Sequence, residues 1–383
     1  MVKLKSYCKG LEVDRDLVAR AYEAWLGGES GHKNGWRVEA EHGSADALVE
    51  EILWETTCRT LTFEPIHRYE HREPTNGKVR TIGVESVKQQ VCDYVAVLAL
   101  KPLLEAKLGF YQVAAVKGKG QRLCRGALRR WSHDARYHVK GDVRKCYPSI
   151  SHDVVMRMLR RYVRSADVLY LCETLLGTYD RGGLEIGSYF SLQMANLVLS
   201  SAYHHVESLG RRRRGRWVPM VRHQIWHMDD FLLIGTSKRD LRMAMRAVER
   251  YMREELGIEI KPWKVARTSR REPLDLGGWV VRELGTRREM PDGTTRVDES
   301  DRHTRVTLRD GIFLRGTRSF RYFVNRPSPR WASSCMAYWG WFKHGDCEGA
   351  RRRRGIDRAC SRARMVISRH ARRARSEALD GKA

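Results

Sequence analysis

Trp226-His227-Met228-Asp229-Asp230-Phe231-Leu232-Leu233-Ile234-Gly235 sets two adjacent carboxylates between apolar runs. The flanks read as short strands and the acids as the tip of a tight hairpin. A carboxylate there can point into a cleft and hold a divalent metal against a phosphate. Asp-Asp between strands can also be no more than a solvated turn, so the neighbouring segments decide.

Upstream, Tyr137 to Val143 alternates partially and reads as a short strand, which puts Asp142 at a strand end. Ser151 is the expected N-cap of a helix whose Val155, Met158, Leu159 and Tyr162 share a face. Between the two acidic segments, Gly183-Leu184-Glu185-Ile186-Gly187-Ser188 leads into the apolar run Tyr189 to Asn196. Glycine lacks the Cβ that would keep a backbone away from a bound base pair. The chain order is therefore acid, glycine loop, acid pair.

This order and its wording resemble the reverse transcriptases of bacteria. Asp142 to Ile150 is similar to their first catalytic palm motif, Gly183 to Asn196 to the second, and His227 to Phe231 to the third, usually Tyr-x-Asp-Asp. Leu256 to Lys264 resembles the fourth, and Leu276-Gly277-Gly278-Trp279 the primer-grip hairpin. Tyr69 to Gln90, with Gly77-Lys78-Val79-Arg80-Thr81-Ile82, resembles the fingers, and Tyr111 to Gly120 the segment before the first palm motif. Within the family the likeness is to group II-intron-like enzymes, including those of diversity-generating retroelements and phage-defence systems. Ile186 stands where relatives of high fidelity carry Gln, and an aliphatic residue there implies relaxed template reading. His227 replaces the usual Tyr, Glu185 the usual Pro, and Leu192 falls where some relatives carry Gln; the acids are kept.

The resemblance implies an α+β right-hand polymerase. Residues 63–295 would form fingers and a palm of antiparallel sheet packed on helices, 1–62 a helical extension, and 300–383 a basic helical thumb and tail. It implies RNA-directed DNA polymerase activity on an RNA template, with a DNA or RNA primer and deoxynucleoside triphosphates. A cognate non-coding RNA or accessory protein is the implied further partner. Two Mg2+ ions about 4 Å apart, replaceable by Mn2+, would serve the hydroxyl and the leaving pyrophosphate. Asp142 and Asp229 are then the main metal ligands, with Asp230 in support and the Val143 carbonyl as a further donor. Tyr147 corresponds to an aromatic gate that excludes a 2′-hydroxyl. Lys78 and Arg80 would grasp the triphosphate, Gly187 and Ser188 would floor the templating pair, and Lys264, in preference to Lys261, would meet the pyrophosphate. Gly277, Gly278 and Trp279 would touch the primer. Competing expectations are an untemplated or protein-primed DNA synthase and an RNA-binding, maturase-like protein.

Composition agrees with a nucleic-acid partner. The 383 residues carry a formal net charge of +26 and a pI near 10.0, which favours polyanions through counterion release. Arg211-Arg212-Arg213-Arg214-Gly215-Arg216-Trp217 is too charged for a core and is expected to project as a loop or arm in contact with nucleic acid. Arg351, Arg352, Arg353 and Arg354 begin a second basic run, interleaved with aromatics from Trp331 to Phe342, again suited to a backbone partner. No long apolar run suggests a membrane. Nine scattered cysteines without Cys-x-x-Cys spacing read as buried thiols rather than a zinc site. With no export signal expected from the lysine-bearing start, the cytoplasm is the expected compartment.

Periodicity predicts further elements. Asn76-Gly77 marks a hairpin turn, Val87 to Leu104 a helix stopped near Pro102, and Asp240 to Leu256 an amphipathic helix. Residues 285–300, rich in Gly, Pro, Asp and Thr, are the expected linker.

Overall fold

The computed structural model describes residues 6–8, 12–72, 79–269, 271–289 and 295–380. The chain opens with α1 (Arg15–Leu26), α2 (Glu29–Asn34), α3 (Trp36–His42) and α4 (Ala45–Cys58). Strands β1 (His67–Arg72) and β2 (Val79–Val84) precede α5 (Val87–Ala99), α6 (Lys101–Lys107) and α7 (Gln121–Trp131). Next come β3 (Tyr137–Asp142), α8 (Cys146–Ser149), α9 (His152–Tyr162), α10 (Ala166–Gly177) and α11 (Tyr189–Ser208). Strands β4 (Gly210–Arg213), β5 (Arg216–Pro219), β6 (His223–His227) and β7 (Asp230–Gly235) lead to α12 (Lys238–Leu256). After β8 (Val265–Arg267), β9 (Asp275–Leu276), β10 (Trp279–Glu289) and β11 (Thr295–Leu308), the chain ends in α13 (Asp310–Asn325), α14 (Pro329–His344), α15 (Glu348–Arg353) and α16 (Ile356–Asp380).

Backbone contacts divide the chain into two units, one of residues 1–118, 139–233 and 239–265, the other of 119–138, 234–238 and 266–383. Helices α1 and α4 pack with α5 inside the first unit, and α7 packs on β10 and β11 inside the second.

The four-stranded sheet has the strand order β6-β7-β3-β8. Phe231 to Ile234 of β7 are all fully buried, as in a strand covered on both faces. Helix α11 is buried over most of its length, with Phe190, Met194, Leu197, Val198 and Ala202 inaccessible, and it packs on α5. Short polar side chains start the helices: Asp14, Ser86, Ser151 and Ser188 each accept a bond from a backbone N–H of the first turn. Strands β1 and β2 pair antiparallel from His67 opposite Val84 to Arg72 opposite Val79. The Asn76-Gly77 turn and Lys78 lie outside the described residues.

Three expectations are corrected here. The helix from Val87 does end just before Pro102, at Ala99, but it does not reach Leu104: Pro102 sits in the first turn of a new helix, α6, where the missing N–H has no partner to lose. The run 211–216 is not a loose arm but the antiparallel hairpin β4–β5, closed by Arg214 and Gly215 at φ 49° and 76°. Residues 285–289 and 295–300 are strand rather than linker: β10 and β11 pair from Trp279–Leu308 to Glu289–Thr295, with a register shift between Gly285 and Thr286, and the rest of the expected linker lies outside the described residues. Ladder hydrogen bonds override the loop-like composition.

The second unit centres on β9-β10-β11 with α13 to α16. Phe342 is inaccessible and packs on Phe313 and edge-on to Phe320. Trp279, 1% exposed, donates its Nε1–H to Gln121 and tilts against Trp341. Among the described residues no helix is long and apolar enough to cross a membrane, and Cys58 is the exposed thiol among nine free cysteines.

Candidate active site

The acid pair lies where β6 turns into β7. Met228 takes φ 56°, the positive backbone angle that tight hairpin turns require and that a non-glycine residue adopts at a cost. Two aromatic rings brace the turn, Trp226 stacked on Phe231 at 4.1 Å between centroids. On β3, Gly141 lets that phenyl ring come close; a Cβ there would fall 2.1 Å from Phe231 Cζ.

Asp142 reaches the same place from the end of β3. The Val143 N–H donates to the Asp229 carbonyl at 3.0 Å, and the Lys261 N–H to the Asp142 carbonyl at 2.9 Å, which ties both acids to one backbone frame. Lys261 Nζ stands 2.6 Å from Asp142 Oδ1, a contact of charge rather than of hydrogen-bond angle, since that oxygen lacks a well-directed donor. Lys140 Nζ lies 3.4 Å from Asp230 Oδ2. Burial, then the charges of Asp230 and Asp142, push the Asp229 carboxyl above the ordinary range, and Arg80 on β2 pulls the other way. Three carboxylates thus repel one another at a place where cations are in demand.

Among the described residues no three His, Cys, Asp or Glu side chains are gathered tightly enough to cage an ion alone. Mg2+ does not need such a cage, because it is held by one or two carboxylates together with substrate phosphates and water. Asp142 and Asp229, hard oxygen donors beside Asp230, fit that requirement.

The glycine loop is fastened between the first motif and β2. The Leu184 N–H donates to the Tyr147 carbonyl, and the Gly83 N–H to the Ile186 carbonyl at 2.7 Å. Gly187 sits at φ 121° with its α-carbon so near β2 that a Cβ would fall 2.2 Å from the Gly83 oxygen. Tyr147 is half-buried, and its hydroxyl is held protonated by burial and by the charges of Cys146 and Asp229, with Arg80 opposing. Glu185 turns inward and receives Arg68 of β1 through Nε at 3.0 Å and Nη2 at 2.7 Å. Sequence reasoning passed over Arg68, although a carboxylate in an apolar loop signals a cation to match it.

Ser188 departs from expectation. It is 4% exposed, and its hydroxyl caps α11, donates to Asp93 Oδ2 at 2.8 Å and meets Tyr179 Oη at 2.9 Å, so it anchors the loop from below. Asp93 also accepts the Phe190 N–H at 2.9 Å. Glu85 lies nearby, and burial pushes Asp93 up to about 6 and, with the charge of Asp93, Glu85 well above its usual value. A raised carboxyl pKa in the fold makes the native state hold a proton that the unfolded chain has lost. The pair's stabilisation is therefore complete below about pH 4 and disappears as pH rises past about 6. Glu85→Gln, a neutral side chain of the same shape, should match the wild type near pH 4 and exceed it by on the order of 2 kcal/mol at pH 8. Urea midpoints at both pH values measure this; a constant difference would mean that the Glu85 carboxyl is not held protonated by the fold.

The remaining expected residues scatter. Lys264 is exposed, whereas Lys261 carries the contact with Asp142. Lys78 lies outside the described residues. In the second unit, Trp279 is core and offers no ring to a primer, while Gly277 and Gly278 turn at φ 57° and 89°. Arg351 is engaged by Asp357 and lies over the Trp339 ring; Arg352, Arg353 and Arg354 are exposed.

The reverse transcriptase (RNA-dependent DNA polymerase) family matches residues 71–298, a span that holds all three acids, the glycine loop and Tyr147. A COX1/OXI3 intron 1 protein of Saccharomyces cerevisiae is 21% identical over 195 residues, 48% of this chain and 23% of that protein. A 91 kDa protein in a cob intron of Schizosaccharomyces pombe is 21% identical over 213 residues, 52% of this chain and 26% of that protein. The chain spans about a quarter of the length of these curated relatives. With more than half of its residues inside the family match, the chain belongs to the reverse transcriptase (RNA-dependent DNA polymerase) family.

Proposed function

We propose that the chain is an RNA-directed DNA polymerase that extends a DNA or RNA primer along an RNA template with deoxynucleoside triphosphates. The observation that carries this reading is the joining of Asp142 and Asp229 through one backbone frame, with Asp230 near enough to raise the Asp229 carboxyl. Magnesium, when bound, supplies a more acidic primer hydroxyl and neutralises charge on the leaving pyrophosphate. Asp142 and Asp229 hold it, Asp230 adds negative charge, and the Val143 carbonyl is a further oxygen at the same point. Arg80, already within electrostatic reach of Asp229 and Tyr147, orients the triphosphate; Lys78 is its proposed partner. Lys261 exchanges Asp142 for the pyrophosphate, with Lys264 behind it. Gly187 brings bare backbone beneath the templating pair, and Tyr147 closes the space a 2′-hydroxyl would need.

A cognate structured RNA, an accessory protein, a cytoplasmic setting and a place among retroelement or antiviral-defence enzymes complete the reading. Ile186 favours relaxed template copying. The reading includes a right-hand layout of fingers, palm and thumb, with Arg351 to Arg354 as backbone contacts of the thumb. Both relatives are intron proteins by name, which favours as a second reading an intron-associated RNA-binding role.

Primer extension by the purified chain on RNA with deoxynucleotides and Mg2+, followed by product sequencing, is the test. Complementary DNA supports the reading. Product without complementarity moves it to an untemplated synthase, and RNA binding without synthesis on its own RNA moves it to the intron-associated role. Tyr147→Ala should raise ribonucleotide use relative to deoxynucleotide use by about tenfold or more; an unchanged sugar preference would remove the gate.

A further inference from the structure

The hairpin β4–β5 presents a side-chain arrangement that nucleotide addition does not use. Cross-strand register places Gly210 opposite Pro219, Arg212 opposite Trp217, and Arg213 opposite Arg216. Residues directly opposite share a face, so Gly210, Arg212 and Trp217 stand on one side of the ribbon. The Trp217 indole lies flat over Gly210: a Cβ at 210 would fall 2.3 Å from Cε2, and only glycine leaves room for it. The ring is nevertheless 61% exposed. One of its sides is supported by backbone and the rest is open to solvent.

The ribbon is rigidly seated. Arg211, on the opposite face, reaches Asp240 at the start of α12 with Nη2 2.8 Å from Oδ2. The Met220 N–H closes the base on the Leu209 carbonyl at 3.0 Å. Arg214 and Gly215 turn the tip at positive φ, the backbone that matches strand twist in two-residue hairpins. Arg212, Arg213, Arg214 and Arg216 are exposed, and no ion pair involves them among the described residues. Arg212 beside the pre-placed ring, Arg214 at the tip, and Arg213 with Arg216 on the other face of the ribbon meet two needs of an unpaired nucleotide strand together with that ring: charge for its phosphates and a flat surface for a base. A duplex hides its base faces and could use only the charge. A protein partner would need acids to match all four arginines and would leave the supported ring unexplained.

We propose that β4–β5 is a binding site for single-stranded RNA, in which one unpaired base stacks on Trp217 while Arg212, Arg213, Arg214 and Arg216 hold the flanking phosphates. That the strand is RNA rests on the RNA-copying reading above. The site adds a hold on the template distinct from the acids of the β6–β7 turn.

Fluorescence anisotropy of the full chain with labelled oligo(U), without deoxynucleotides or divalent metal, tests this. Trp217→Ala should weaken binding by about tenfold or more, Trp217→Phe should restore most of it, and binding of an RNA duplex should hardly change. Replacing Arg212, Arg213, Arg214 and Arg216 by Ala should lower the slope of log affinity against log salt by about 2 to 3. Wild-type affinity in Trp217→Ala, or an equal loss on duplex RNA, overturns the proposal. A chain that bound RNA in this way but made no DNA would defeat the polymerase reading and leave the binding site standing.

Discussion

Asp229→Asn and Asp142→Asn should each lower nucleotide addition by about 10^3-fold or more, with RNA affinity changed by no more than about twofold. Each change keeps the shape of the side chain and removes the charge that a divalent cation requires. Unfolding cannot account for the loss at Asp229. Its carboxyl is pushed up by burial and by Asp230 and Asp142, so the ionised form is disfavoured in the fold and a neutral amide relieves that repulsion. At Asp142 the amide would also release Lys261, now 2.6 Å away. Single-turnover primer extension beside anisotropy separates the two readouts. Extension by Asp229→Asn at near the wild-type rate would falsify the assignment of this turn.

The second large effect concerns Gly187. Alanine there would need φ 121°, and its methyl group would meet the Gly83 carbonyl oxygen at 2.2 Å. That oxygen is backbone and cannot swing away, and the Ile186 carbonyl beside it is held by the Gly83 N–H. The loop must leave β2, at a cost of about 2 to 4 kcal/mol in stability and with at least a tenfold loss of nucleotide addition. Gly177, the exposed last residue of α10, provides the contrast: nothing lies within 4 Å of a Cβ there. Gly177→Ala should be neutral or stabilising by up to about 1 kcal/mol. Thermal unfolding of both variants decides the matter; equal effects would mean that the approach of Gly187 to β2 carries no weight.

The strand-turn-strand around Asp229, the cap at Ser151 and the amphipathic helix α12 were legible because each depends on neighbours within a few residues. Pro102 was legible as a break but not as a start, since the same ring suits the first turn of a new helix. Residues 285–300 and 211–216 misled for a common reason. Turn-forming and charged residues can occupy strands whose partners lie close by in the chain, and pairing rather than composition decides their form.

Sequence alone determined that this chain carries Asp142, a glycine loop and Asp229-Asp230 in the order of a reverse transcriptase, because residue type and spacing are local properties. Which side chains serve which neighbours was decided by tertiary contact. Ser188 faces Asp93, 95 residues away in the chain, Arg68 finds Glu185 across 117, and Lys261 rather than Lys264 meets Asp142. Trp279 is drawn inward onto Trp341 while Trp217 is left outside over a glycine. Two tryptophans that follow closely on a glycine look alike in one dimension. Burial separates them, and burial depends on the packing of elements far apart along the chain.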